Sequence, residues 1–408
     1  MKKILFALPL ILVLLGAGCT NGQFFDEPLD NGTPLSTSTP PSVSSPAPTT
    51  TTVKLKNGRA FSLTHPNDHT LSVAAEGYQR LRFMAKSPDN RLFLGEMYNA
   101  SDTRRGKVYI FDAFDEQTKK FTGTHTYVSN LRNPHSLAFY TDTDGKTWLY
   151  IALTDKLIRY PYTNSDNAPT TKPETIATFP AYGRTLGQGG WHITRTVVAK
   201  NNKLYVSVGS SCNSCEEKED EPSRASILVM NPDGSDSKVF ASGLRNAVGL
   251  TFVGSALIAT NNNADHLGDN QPPDTIYEVL EGKNYGWPYC YESNTTIEPD
   301  TSKEWSKTFD CSTVPLADVK LPAHSAPLGI TYFNNQLLVA LHGSGNKTLK
   351  AGYTVIATTQ DGKQTDFLSG FLQGTTVHGR PAGILVNDEK SFFVTDDFNG
   401  AVYYIEKK

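Results

Sequence analysis

The stretch Arg82-Phe83-Met84-Ala85-Lys86-Ser87-Pro88-Asp89-Asn90-Arg91-Leu92-Phe93-Leu94-Gly95-Glu96-Met97 reads as strand, turn, strand. Apolar residues crowd both flanks of Pro88-Asp89-Asn90, and that tripeptide has the residues a hairpin turn needs. The unit recurs five more times, as Ser136 to Tyr140 with Trp148 to Leu153, Thr196 to Lys200 with Lys203 to Val208, Gly249 to Val253 with Ala256 to Thr260, Gly329 to Phe333 with Gln336 to Leu341, and Gly383 to Asn387 with Ser391 to Thr395. Between the equivalent residues Leu92, Leu149, Leu204, Leu257, Leu337 and Phe392 the spacings are 57, 55, 53, 80 and 55. A period of about 55 with several strands per unit marks a β-propeller, so the fold class is all-β, with six blades of four strands.

Third strands follow at Lys107 to Asp112, Lys156 to Tyr160, Ala225 to Met230, Thr275 to Leu280, Tyr353 to Thr358 and Ala401 to Ile405. Outer strands are expected at Thr124 to Ser129, Glu174 to Phe179, Lys238 to Ser242, Asp318 to Leu321 and Thr365 to Leu368. Those are five outer strands for six blades, and the chain ends just after its last third strand. Val53 to Leu63 is therefore expected to supply the missing outer strand, because an unclosed ring would expose strand edges.

Upstream of the repeats, Lys2 and Lys3 precede twelve mostly apolar residues, Ile4 to Leu15, and then Gly16-Ala17-Gly18-Cys19. Residues 1–18 read as a signal peptide resembling the bacterial lipoprotein type, in which Cys19 would carry the lipid; simple secretion is the other reading. Seventeen of the twenty residues from Thr33 to Thr52 are Pro, Ser or Thr, a composition that cannot build a core. Residues 19–52 are thus expected to form a disordered tether holding the domain 53–408 off a membrane of the cell envelope. The 38 basic and 41 acidic residues nearly cancel, which gives no electrostatic reason to expect a nucleic-acid partner.

In a propeller the residues just before each first strand open on one face around a central funnel. Those positions hold His135, then His192 with Arg195, Arg245 with Asn246, and His378 with Arg380, in a chain with only nine histidines. Arginine and histidine converging on a funnel favour an anionic or polyoxygenated ligand, although each could singly serve as a loop brace.

The motifs Trp191-His192-Ile193-Thr194-Arg195-Thr196, Val208-Gly209-Ser210-Ser211-Cys212-Asn213, Gly243-Leu244-Arg245-Asn246-Ala247-Val248-Gly249-Leu250 and Asn284-Tyr285-Gly286-Trp287-Pro288-Tyr289-Cys290 resemble, in order and spacing, the glucose/sorbosone dehydrogenase family. Asn133-Pro134-His135 and Leu341-His342-Gly343-Ser344 extend the resemblance over nearly the whole domain. That family implies a quinoprotein oxidising an aldose or sugar aldehyde with pyrroloquinoline quinone (PQQ) and passing electrons to an external acceptor. The resemblance makes His192 the general base and Arg245 the group that polarises the quinone oxygen. Asn246, Arg380, Lys347 and Arg195 become further cofactor-binding residues, Arg195 being equally readable as a buried loop brace. It also implies Ca2+, with Gly268, Asp269, Asp274 and Tyr285 as the ligand set. Thr275 stands where the family has a glutamate, and Ala264 and Gly345 where it often has an arginine and a tryptophan. A calcium-dependent lactonase-like hydrolase and a non-catalytic carbohydrate-binding propeller are the alternative functions on this fold.

With Cys19 set aside, four of the five cysteines remain: Cys212 and Cys215 in blade three, and Cys290 and Cys311 bracketing the long insertion of blade four. In an exported protein they read as two local disulfides, with a four-thiolate zinc site as the competitor.

Overall fold

The computed structural model describes residues 47–181, 191–293, 295–345, 348, 350–359 and 362–408. The expected signal peptide, Cys19 with its expected lipid, most of the expected tether and Lys347 lie outside these residues. Six four-stranded antiparallel sheets form the blades. Blade one is Arg80–Lys86, Leu92–Met97, Gly106–Asp115 and Lys120–Leu131, and blade two runs from Ser136–Thr141 to Glu174–Thr178. Blade three spans Arg195–Lys200 to Lys238–Ser242, and blade five Pro327–Phe333 to Gln364–Leu368. Blade four takes its outer strand, Val319–Leu321, only after an insertion that carries the hairpin Cys290–Glu292 and Ile297–Pro299.

The last blade corrects one expectation. Its outer strand is His69–Glu76, which pairs antiparallel with Ala401–Lys407 from His69↔Lys407 to Glu76↔Ala401. The ring does close through an N-terminal strand, but Val53 to Leu63 is not that strand. Instead Thr49–Lys54 and Ala60–His65 make their own hairpin, so the folded part also begins earlier than Val53, inside the threonine run. The hairpin buries Val53, Leu55, Phe61 and Leu63 in one cluster with Phe333, Tyr353, Phe371 and Tyr403, where it covers the seam between blades five and six. The alternation in Val53, Leu55, Phe61 and Leu63 was legible as strand. Which edge it served was not, because two alternating segments, 49–65 and 69–76, competed for one vacancy.

Every neighbouring pair of blades shares an apolar layer. Phe93 and Val108 meet Leu149 and Tyr160 between blades one and two, and Leu92 and Phe111 meet Phe393 and Tyr404 across the closing seam. Around the axis the innermost strands pack backbone to backbone. A Cβ on Gly249 would lie 2.1 Å from the Leu328 carbonyl, and one on Gly383 2.9 Å from the Arg82 carbonyl, so the approach of adjacent blades requires glycine there. This tight axis fixes where the loops before each first strand converge.

Candidate active site

A cavity of about 380 Å³ opens on the funnel face, with His192, Arg245, Asn246, Asp265, Asp274 and His324 in its wall and Trp191 at its mouth. His192 sits in the turn before the first strand of blade three with φ 48°, a left-handed conformation that non-glycine residues hold only when surrounding contacts impose it. The imposing contacts are those of its ring: Nδ1 lies 3.0 Å from the Ser210 carbonyl and 3.0 Å from Ser210 Oγ. A carbonyl can only accept, so Nδ1 carries the proton and Nε2 keeps a free lone pair. Burial, and then the nearby Arg245 guanidinium, push the imidazole pKa well below 6.5. The ring is therefore neutral at pH 7 and able to take a proton at Nε2.

Gly209 makes this placement possible. A Cβ there would stand 2.5 Å from His192 Cβ and 2.6 Å from Asn246 Oδ1, so both side chains occupy the space that a larger residue would fill. The Asn246 amide makes no side-chain hydrogen bond among the described residues and faces the cavity.

Arg245 is only 4% exposed. Its Nε and Nη2 donate to the Asn213 carbonyl and Oδ1 at 3.0 and 2.9 Å, and Nη1 donates to the Asn262 carbonyl at 3.1 Å. Asp265 supplies a looser ion pair at 3.4 Å. The guanidinium is thus clamped by its own fold while one edge faces the cavity.

Of the other sequence-predicted residues, Arg195 faces away from the cavity. It is 1% exposed and donates to the carbonyls of His192, Thr194 and Pro180. These bonds are those of a loop brace, and Arg195 is not among the cavity residues. Arg380 stands beside the rim: it donates to the Gly343 carbonyl at 2.9 Å and lies over the Tyr353 ring at 4.8 Å, next to the cavity residue Ser344. His378 is taken up by stacking on Phe61 of the N-terminal hairpin, 5.7 Å between centroids. His135 is fully buried and accepts from Arg82 Nε at 3.1 Å.

Nor do the four residues expected to ligate calcium converge. Asp274 is in the cavity wall, but its oxygens accept the backbone N–H groups of Asn263 and Ala326 at 2.8 and 2.9 Å, and burial raises its pKa to about 6. The Gly268 carbonyl accepts from His324 Nε2 at 2.7 Å. Tyr285 is packed inside blade four, its hydroxyl donating to the Glu278 carbonyl and accepting from Leu280 N–H, both at 2.9 Å. Asp269 is not among the cavity residues. Tyr285 belongs to the insertion after the third strand, Asp274–Glu278, and its ring packs against Tyr277 inside blade four, 4.6 Å between centroids.

His324 and Asp265 are the site residues that sequence reading missed. His324 occupies in blade five the position before a first strand that gave His192 and Arg245 in blades three and four, so the same rule could have found it. Asp265, 3.2 Å from His324 Nδ1, lies in a loop between second and third strands, where nothing local marks it. A second cluster surrounds the buried Asp397, which takes His342 Nε2 at 2.8 Å, Arg82 at 2.6 Å and Arg80 at 2.9 Å. Burial alone would raise its pKa, but His342, Arg82 and Arg80 hold it well below the usual carboxylate range.

The two cysteine pairs are disulfides, Cys212–Cys215 and Cys290–Cys311. Trp287 is packed into the fold: it is 7% exposed and donates to the Asn213 carbonyl at 3.2 Å.

Fold and cavity together define a six-bladed propeller with a neutral imidazole and a clamped guanidinium at the head of its funnel. Comparison with known proteins adds the family: residues 101–408 match the TrAA12-like family, and the chain belongs to it. An uncharacterised protein of Borreliella burgdorferi is 29% identical over 81% of this chain and 87% of its own length. A pyrroloquinoline quinone-dependent pyranose dehydrogenase of Coprinopsis cinerea is 23% identical over 53% of this chain, a match spanning only 40% of that enzyme. Among solved structures, the holo PQQ domain of the Coprinopsis cinerea pyranose dehydrogenase superposes with a TM-score of 0.70 at 19% identity, covering 87% of this chain and 98% of that one. A calcium structure of the Trichoderma reesei family AA12 enzyme gives 0.69 at 17%, over 85% and 97%.

Proposed function

We propose that this protein is a PQQ-dependent dehydrogenase that oxidises a pyranose, aldose or related sugar aldehyde and hands the electrons to an external acceptor. The observation that carries the reading is His192: a neutral imidazole with Nδ1 committed to Ser210 and Nε2 free, beside Arg245, in a cavity of about 380 Å³. The residues present fit a flat, carboxylate-bearing quinone. The Asn246 amide is open toward the cavity, Arg245 shows it a cationic edge, and Trp191, 48% exposed, offers an aromatic face at the mouth.

PQQ, when bound, supplies a two-electron acceptor for the hydride leaving the sugar. His192 Nε2 takes the proton of the hydroxyl being oxidised, and Ser210 holds the ring so that the lone pair keeps its direction. Arg245 and Asn246 donate hydrogen bonds toward negative charge that develops in the cavity. Because Arg245 is already clamped by Asn213 and Asn262, little reorganisation accompanies that stabilisation. No step is assigned to calcium, since the expected ligands are dispersed or engaged elsewhere. The lipoprotein-like signal ending at Cys19 and the two disulfides support an exported, membrane-tethered location.

The test is reconstitution of the apoprotein with PQQ and Ca2+, a panel of sugars, and a reducible dye. Turnover with at least one aldose or pyranose is expected. A folded protein that shows neither dye reduction nor a change in the quinone spectrum at saturating sugar would overturn the reading. In His192→Ala, PQQ binding should persist while kcat falls by about 10²–10⁴-fold.

A further inference from the structure

We infer that the four-residue ring closed by the Cys212–Cys215 disulfide is a positioning element, which holds Arg245 against His192 through Asn213. Its catalytic meaning rests on the function proposed above, but the geometry stands without it. Asn213 sits inside the ring and receives four donors. Its carbonyl accepts Arg245 Nε at 3.0 Å and Trp287 Nε1 at 3.2 Å, and its Oδ1 accepts Arg245 Nη2 at 2.9 Å and the Asp265 N–H at 2.9 Å. One residue thereby fixes the guanidinium, the neighbouring acidic loop and the root of the blade-four insertion.

The same ring reaches His192 from the other side. Ser210 Oγ donates to the Cys212 carbonyl at 2.7 Å, which turns its lone pairs toward His192 Nδ1. Ser210 N–H in turn donates to the Arg245 carbonyl at 2.8 Å. A segment bonded end to end by a disulfide of sequence separation 3 cannot extend, so the carbonyls of Cys212 and Asn213 keep fixed directions. A buried arginine needs acceptors for its N–H groups: in Asn213→Ala the backbone carbonyl of residue 213 still accepts Nε, but Nη2 loses Oδ1 and is left with the looser Asp265 contact at 3.4 Å. The Nη2 end of Arg245 would then swing toward Asp265 of blade four and away from the imidazole.

The charged groups that act on His192 are Arg245, Arg195 and Arg224, all cations that disfavour a protonated ring. Of these only Arg245 is held by Asn213. Moving its Nη2 end away weakens one repulsion, so the His192 midpoint must rise. The experiment is an NMR titration of the His192 ring in the apoprotein, which needs neither PQQ nor sugar. Wild type should keep His192 neutral to well below pH 6.5. In Asn213→Ala, and in Cys212→Ala with Cys215→Ala, the midpoint should rise by about half a unit or more.

A merely structural role is separated by repeating Asn213→Ala in an Arg245→Gln background, where the midpoint should no longer move. An unchanged midpoint in folded Asn213→Ala overturns the inference, as does a shift that persists without Arg245. An unchanged midpoint in the folded double-cysteine variant overturns the part given to the disulfide. Should that variant not fold, Cys212→Ser with Cys215→Ser, which keeps the side-chain size and polarity while removing the bridge, takes its place for the disulfide, and Asn213→Ala decides the part given to Asn213. A titration shift as expected, together with no sugar oxidation, would keep the positioning element and sink only the dehydrogenase reading.

Discussion

At the scale of single residues, the site depends on which nitrogen of His192 carries a proton. Ser210 settles that through a backbone carbonyl, and burial with Arg245 keeps the ring neutral. The base form is therefore already present at pH 7. If proton abstraction by His192 limits kcat/KM, the rate should be flat from pH 6.5 to 8 and fall only at lower pH, as the ring takes up a proton; a limb centred near 6.5 or above would contradict this. Gly209 gives a second prediction. Alanine there would press on His192 and Asn246 at 2.5 and 2.6 Å, and backbone hydrogen bonds on either side leave little room to yield. Gly209→Ala should lower kcat by more than about tenfold while far-UV circular dichroism stays that of the wild type.

At the scale of elements, the N-terminal segment divides its labour. His69–Glu76 completes blade six, and the hairpin Thr49–Lys54 with Ala60–His65 covers the seam to blade five. Hairpin residues also reach the funnel loops: Phe61 stacks on His378, and Arg59 donates to Asn399 at 2.8 Å. A chain starting at residue 67 should keep the ring but melt at a lower temperature, having lost Val53, Leu55, Phe61 and Leu63 from a shared core. One starting at residue 77 should lose cooperative unfolding, because Ala401–Lys407 becomes an open edge. Thermal denaturation of the two truncations checks the assignment; similar behaviour of both would refute it. The blade-four insertion works likewise at a distance, its Trp287 bracing Asn213 while the Cys290–Cys311 bridge closes the loop behind it.

For the whole molecule, the repeat period carried most of the fold. Six hairpins with alternating apolar residues can bury their faces only against one another, and a ring is the arrangement that leaves no blade with a bare side. The first three strands of each blade were accordingly legible, since alternation and turn chemistry are local. Ring closure was not, because any alternating segment near the N-terminus could occupy the last edge and only packing against Phe333, Tyr353 and Phe371 decided which one did. The site divided in the same way. His192, Arg245, Asn246 and Asp274 lie where position relative to a strand places them. Arg195 and Tyr285 occupy sequence positions beside the site, yet their side chains follow loop paths that point them into the fold. His324 and Asp265 come from separate loops and meet only because the axis brings blades four and five together. The sequence by itself determined the blade count, the strand pattern and the imidazole–guanidinium pair, through periodicities and motifs that act over a few residues. Tertiary structure alone decided the closing strand, the direction of each side chain at the funnel and the role of Asn213, because those depend on contacts between segments far apart in the chain.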